Sequence, residues 1–463
     1  AGRVELLVII DSNPVFTAPA DLNFAEAMKQ AKQSVVLNPY EDETAAQATW
    51  FIPLSHPLES WSDARAYDGT VSIIQPLIRP LYSSRTAHEL LAVLNGAIGT
   101  TDYDSVRTYW QQQTGLDDAA FDDFFKRALS TGVIEGTRLE PVDVSLVDGV
   151  QLQAPPPTTS LELLFRPDPA IWDGRFANNG WLQELPRPMT KLTWDNAALV
   201  SPRTAIRLLN LPFDPASLAA PGRARDQALE RLTGENGRMI DITTPAGTLR
   251  MPIWIVPGHA DDTITVTLGY GRTHGGRVAE GAGFNVYRLR QSANPWLVAG
   301  VSATAVNERY LLVSTQDHWT LEGRDVVRAG EFARFKEDPK YIAKEVYAEK
   351  YGSPERKPQY QSLLPGFDYS TGNQWGMVID LSACIGCNAC VVACQAENNI
   401  PIVGKNEVAR GREMHWIRID RYYAGEDLDN PEAYLMPMTC AHCEQAPCEL
   451  VCPVAATVHD AEG

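Results

Sequence analysis

Cysteine is missing from the first 383 residues, and all eight cysteines of this 463-residue chain fall between Cys384 and Cys452. A disulfide framework distributed through the fold is therefore excluded over most of the length. Long hydrophobic runs are also missing. The longest candidates are stretches like Val4 to Ile10, far short of the roughly 18 apolar residues a membrane helix needs, so any membrane contact is expected to come through a partner. Positive charge is in deficit, with 40 Lys plus Arg against 58 Asp plus Glu and a net charge of -18, which argues against nucleic acid as a partner. The chain opens at Ala1 without the charged and apolar regions of a signal peptide, and reads as a piece of a longer protein whose compartment is not legible.

What is present is globular. The composition is 44% hydrophobic and 21% charged, and at roughly 100 to 200 residues per domain the length suggests about three domains.

The cysteines form two groups, Cys384-Ile-Gly-Cys387-Asn-Ala-Cys390-Val-Val-Ala-Cys394 and Cys440-Ala-His-Cys443-Glu-Gln-Ala-Pro-Cys448-Glu-Leu-Val-Cys452-Pro453. In such spacing, three thiolates in a tight loop grip three corners of one cubane. The fourth, on the following helical turn, ligates the other cluster in bacterial ferredoxins. Gly386 and Ala389 are small enough for backbone to wrap closely round inorganic sulfide, leaving N–H groups free to hydrogen-bond it and tune its potential. Structural zinc prefers two C-x2-C pairs with a longer spacer, and a thioredoxin-type motif does not need eight cysteines. Covalent c-type haem needs C-x-x-C-H, but Val391 and Glu444 follow the two candidate pairs. A Rieske centre needs two Cys–His pairs, and only Cys440 with His442 offers one; His442 reads as a loop residue near a cluster.

Upstream, residues 1–140 alternate strands and helices. Val4 to Ile10 reads as a strand buried on both faces, Asp21 to Lys32 as a helix and Ser34 to Leu37 as a strand, which predicts a parallel sheet. Asn13 and Thr17 follow the first strand and could meet a cofactor phosphate, with turn capping the favoured role. The run Gln153-Ala-Pro-Pro-Pro157 marks a stiff break, after which Met239 to Thr244, Gly247 to Val256 and Thr263 to Leu268 read as strands of a β-barrel-like domain. Glycines between Gly269 and Gly283 fail the dinucleotide fingerprint and read as tight corners. No Walker A sequence occurs, and His259, His274 and His318 lack ligand-spaced partners.

The run Gly376 to Lys405 around the first cysteine group, with Gly411 to Asp420, resembles the large iron–sulfur subunit of bacterial alternative complex III, a quinol-oxidising assembly. Asn13 to Asp21, Tyr40 to Thr44, Asp63 to Thr70, Val256 to Asp262 and Ser314 to Trp319 are similar to its other part, a relative of molybdopterin oxidoreductases. The resemblance implies a multidomain α/β and β fold. It comprises an α/β lobe at 1–150, a β-barrel domain at 151–330 resembling the carboxyl-terminal domain that binds molybdopterin dinucleotide, a linker at 331–372 and a ferredoxin-like domain at 373–463.

That family carries four cysteine groups where this sequence has two, so the ferredoxin-like domain is expected to be incomplete. Cys384, Cys387, Cys390, Cys394, Cys440, Cys443, Cys448 and Cys452 would be the cluster ligands, with no catalytic residue. In the four-cluster relatives Cys394 would serve a cluster held by the last group, and Cys440 to Cys452 would pair with the third. In a two-cluster ferredoxin Cys452 would join the first triad and Cys394 the second. Implied cofactors are 4Fe-4S clusters, one 3Fe-4S form in the complete protein, and no molybdopterin. Implied partners are integral membrane polysulfide-reductase-like subunits, multihaem and monohaem cytochromes c, and quinol through the membrane subunit. The implied location is the periplasmic face of the cytoplasmic membrane. A catalytic molybdenum or tungsten oxidoreductase and a zinc-stapled module are the alternatives.

Overall fold

The computed structural model describes residues 2–147, 149–150, 160–219, 222–321, 327–328, 330–354, 370, 372–373, 376–425 and 427–459. The break expected at Gln153 to Thr159 lies outside them, as does most of the second half of the expected linker. The fold is multidomain α/β, with two compact units.

The first unit comprises Ala1–Asn179, Ile242–Leu249 and Val266–Ser302. Its sheet is the expected parallel one, with strands Leu6–Ile10, Gln33–Asn38 and Trp50–Pro53 in that order and Val8 opposite Val35. Only the central strand is sealed, Val36 and Leu37 being fully buried. Leu6, on an edge strand, is 43% exposed, so burial of that strand on both faces is not found. The helix expected from Asp21 to Lys32 shrinks to Phe24–Met28, because Asn23 takes a left-handed conformation (φ 42°) that ends the preceding turn. A second core is helical: Asp102–Thr114 and Asp118–Thr131 are N-capped by Thr101 and Asp117. They bury Trp110, Phe121 and Phe125 against Val71, Ile73 and Ile134.

The second unit comprises Gly180–Asp241, Arg250–Thr265 and Ala303–Gly463. Strand Ala198–Val200 pairs in parallel with the end of Gly247–Ile255, and Leu199 faces Thr265 on an antiparallel neighbour. The strands expected at 239–244, 247–256 and 263–268 are thus present, in a half-barrel sheet. Trp254, Leu192 and Ala197 form a core with Leu312 and Trp319 beside it. The cysteine segment belongs to this unit. Residues 266–302 pack with the α/β lobe, while 180–241 and 303–321 fall in the same unit as the cysteine segment. Residues 331–372 contain helices Phe332–Glu337 and Tyr341–Tyr351.

Candidate iron–sulfur centre

Both cysteine groups fold alike. Each opens with a C-x-x-C loop whose third residue is left-handed, Gly386 at φ 68° and His442 at φ 50°. The two loops thus curl the same way between their first two thiols. A Cβ on Gly386 would sit 2.9 Å from Leu435, so the first loop has no room for a side chain there. Each group ends on a short helix. Ala389–Glu397 carries Cys390 and Cys394, and Pro447–Val451 carries Cys448 with Cys452 as its carboxyl cap. Third and fourth cysteines therefore lie one turn apart on one helical face. The hairpin of Ile417–Ala424 with Glu432–Thr439, in unbroken antiparallel register, delivers the chain from the first group to the second.

Cys387, Cys390, Cys440, Cys443 and Cys448 are exposed, and Cys384, Cys394 and Cys452 half-buried; all eight are free thiols. Among the described residues no three His, Cys, Asp or Glu side chains converge as a metal site. The motif thus sets each sulfur on its loop or helix without gathering them onto a common centre, a step that ligand binding itself commonly completes. The donor set fits a cubane: soft thiolates met by N–H groups. Ala456 N–H donates to Cys452 Sγ at 3.1 Å and Asn398 Nδ2 lies 3.5 Å from Cys394 Sγ. The Ala456 and Val454 amides hold the Cys452 thiol below its usual range. His459 links Glu449 on the second helix to the Cys443 carbonyl, 2.7 Å from its Nε2.

The first group is anchored far more deeply. Asn388, 1% exposed, donates to Pro186 O, and helix Ala389–Glu397 packs on helix Gly180–Glu184. Trp181 Nε1 donates to Ile400 O at 2.7 Å, and the buried Glu184 carboxylate accepts from Val403 N (3.1 Å) and Gly404 N (2.8 Å). Beneath lies Arg421, fully buried, whose Nε and Nη2 donate to Met189 O at 2.9 and 2.7 Å; burial lowers its pKa to about 10. Lys191, 1% exposed, is pushed down to about 8 by burial first and by the Arg421 charge second.

Sequence reasoning gave no role to Glu184, Lys191, Asn388 or Arg421. One of them left a trace: Ile417, Ile419, Arg421 and Tyr423 alternate with Arg418, Asp420 and Tyr422, which sets an arginine on the apolar face of a strand. Lys191 left none, since nothing near it in sequence marks a partner almost 200 positions away.

The cleft at the carboxyl ends of the parallel strands is lined by Asp11, Asn13, Thr17, Asp42, Asp173 and Arg272 and holds about 80 Å³. Asn13 donates to Glu43 and accepts from Thr44, while its carbonyl accepts from Thr17, so both residues brace the turn. Arg175 is paired with Asp173 and Arg272 with Glu43, while the Asp42 carboxylate accepts from Asn38 and from the Thr44 and Ala45 amides. A Cβ on Gly269 (φ 98°) would sit 2.7 Å from Gly174 N, the tight corner expected of it. His259 bonds Thr265 Oγ1 at 2.9 Å.

A family model for the 4Fe-4S dicluster domain matches residues 383–456. That span holds all eight cysteines. The iron–sulfur cluster-binding subunit of menaquinone reductase from Nitratidesulfovibrio vulgaris is 39% identical over 90 residues, covering 19% of this chain and 35% of that protein. The molybdopterin-binding-like subunit of menaquinone reductase from the same organism is 23% identical over 321 residues, covering 65% of this chain and 42% of that protein. Among solved structures, acetylene hydratase from Pelobacter acetylenicus is similar at 15% identity and TM-score 0.43, covering 65% of this chain and 44% of its own. The chain spans about a third of the iron–sulfur relative and under half of the molybdopterin-like one. It joins in one polypeptide regions similar to two separate subunits.

Proposed function

We propose that this chain is the iron–sulfur electron-transfer subunit of a membrane-associated, quinol-oxidising complex of the alternative complex III kind. The observation that carries the reading is the dicluster match over 383–456, with its first cysteine group keyed into the unit through Asn388, Trp181 and Glu184. When bound, the clusters supply one-electron acceptance and release. The chain's own residues hold and tune: eight thiolates ligate, the Ala456 amide bonds a cysteine sulfur, and Asn388 and Glu184 fix the first loop.

The likeness to two subunits named for menaquinone reductase supports quinol as the redox partner of the assembly. On this reading electrons pass from quinol, oxidised in an integral membrane subunit of the polysulfide-reductase kind, toward cytochromes c, on the periplasmic face of the cytoplasmic membrane. The α/β lobe acts as scaffold without a pterin, a reading supported by the pairing of its cleft arginines, Arg175 with Asp173 and Arg272 with Glu43. Ligation by all eight cysteines, including Cys387, Cys390, Cys440 and Cys448, belongs to the proposal.

The test is reduction of the clusters in the purified native complex by added menaquinol, followed by electron paramagnetic resonance. Rapid reduction by quinol is expected. Clusters that ignore quinol but are reduced by formate or another small substrate would replace this reading with that of a molybdenum or tungsten enzyme.

A further inference from the structure

Two buried cations, Lys191 and Arg421, lie in the unit that carries the first cysteine group, and no carboxylate among the described residues is paired with either. Lys191 is 1% exposed, and its Nζ has no hydrogen-bond partner among the described residues. Arg421 is wholly buried between the rings of Trp319 and Tyr423, at 4.6 and 3.8 Å, and spends its Nε and Nη2 on one backbone carbonyl; its Nη1 is unpaired. No carboxylate among the described residues forms an ion pair with either. Asp420, which attracts Lys191, is bonded to Arg418 at 2.9 Å.

Lys191 lies five residues beyond Pro186, whose carbonyl accepts from Asn388 between Cys387 and Cys390. The backbone fixes this placement. Lys191 is left-handed (φ 57°), its N–H donates to Arg187 O at 3.0 Å and its carbonyl accepts from Thr315 N at 3.1 Å. The same loop accepts the Asn388 amide at Pro186 and the Arg421 guanidinium at Met189, so the Cys387–Cys390 turn and the lysine are tied to one short segment. An uncompensated buried ammonium is strongly unfavourable unless an anion stands opposite it.

We infer that Lys191, backed by Arg421, is the built-in counter-charge for the cluster held by Cys384, Cys387 and Cys390, and that it raises that cluster's reduction potential. The inference rests on the proposed function. In the step concerned the cluster gains one electron, no bond forms or breaks and no proton moves. The net negative charge of cluster and thiolates rises by one, and a fixed cation nearby favours the reduced form.

The experiment is a dithionite redox titration of the complete complex, followed by electron paramagnetic resonance, for the parent, Lys191→Met and Lys191→Arg. In Lys191→Met one cluster is expected to become harder to reduce by at least tenfold in equilibrium constant, which is 59 mV for one electron. The other clusters and the iron content stay unchanged, and Lys191→Arg restores most of the shift. Unchanged potentials in an iron-replete Lys191→Met complex would overturn the inference, as would an equal shift in Lys191→Arg. Metal-free Lys191→Met protein is expected to melt no lower than metal-free parent; a lower melting temperature would make the lysine a structural residue and sink the idea. A parent complex without iron–sulfur signals would instead overturn the proposed function itself.

Discussion

Two buried guanidinium sites in this molecule are built on opposite terms. In the first unit Arg272 meets the Glu43 carboxylate at 2.9 Å, and Glu43 also accepts from Asn13 and from the Thr273 and His274 amides. Phe16 covers its face at 4.9 Å. In the second unit Arg421 has the aromatic faces but only a backbone carbonyl, and the Lys191 ammonium beside it has no hydrogen-bond partner among the described residues. The first arrangement is complete in itself and serves the fold. The second leaves positive charge unspent on the loop bonded to Asn388, which is what a protein holding an anionic centre at the first cysteine group requires. Buried charge thus sets the two units apart: paired in the first, unpaired in the second.

The contrast is broken most forcefully by neutralising one member of each site. Glu43→Gln strands Arg272 in the interior and is expected to cost about 3–5 kcal/mol in denaturant unfolding. Lys191→Met in metal-free protein should cost nothing, or add about 1–2 kcal/mol of stability, because no partner is abandoned.

Acid titration sharpens the same difference. Burial alone would raise the Glu43 pKa, but hydrogen bonding and charge from Arg272, with bonds from Asn13 and His274, outweigh it and hold the group at about 2 against 4.5. A folded pKa below the unfolded one stabilises above the unfolded value. The contribution, about 3 kcal/mol, is present above pH 4.5 and lost as the pH falls from 4.5 through about 2. Stability of Glu43→Gln should accordingly be flatter over that window. An identical acid slope in parent and variant would show that this pair is not the source.

Next in size is the anchoring of the first cysteine group. Glu184→Ala strips the acceptor from the Val403 and Gly404 amides and should cost about 2–3 kcal/mol, with loss of iron measured after dialysis. The matching change in the second group, Glu449→Ala, frees only the half-buried His459 and should cost less than about 1 kcal/mol. The smallest effect is expected at the solvent-facing Arg250, whose pairs with Asp241 and Glu308 can be removed by Arg250→Ala with a melting temperature within experimental scatter.

Local chemistry was legible in the sequence. Cysteine spacing is a property of a dozen consecutive residues, so the two groups, their loops and their helices could be read directly, as could the parallel strands at Leu6 and Gln33. The extent of the first strand's burial could not, because an apolar run does not say whether it will sit at a sheet edge. Nor could the pairing of 266–302 with the α/β lobe, fixed by Arg272 reaching Glu43 across more than 200 positions. The counter-charges escaped for the same reason. Asn388 looked like a spacer between cysteines, Lys191 like a surface lysine, and only the inward register of Arg421 carried a hint.

The most direct test of the central claim is elemental analysis for iron, molybdenum, tungsten and zinc on the complete protein isolated with its native partner subunits. Abundant iron without molybdenum or tungsten is the predicted result, with the cysteines holding an electron-transfer chain on an empty scaffold. Stoichiometric molybdenum or tungsten would make the protein a catalytic subunit, and zinc without iron would leave the thiolates a structural clasp; either result would contradict the account.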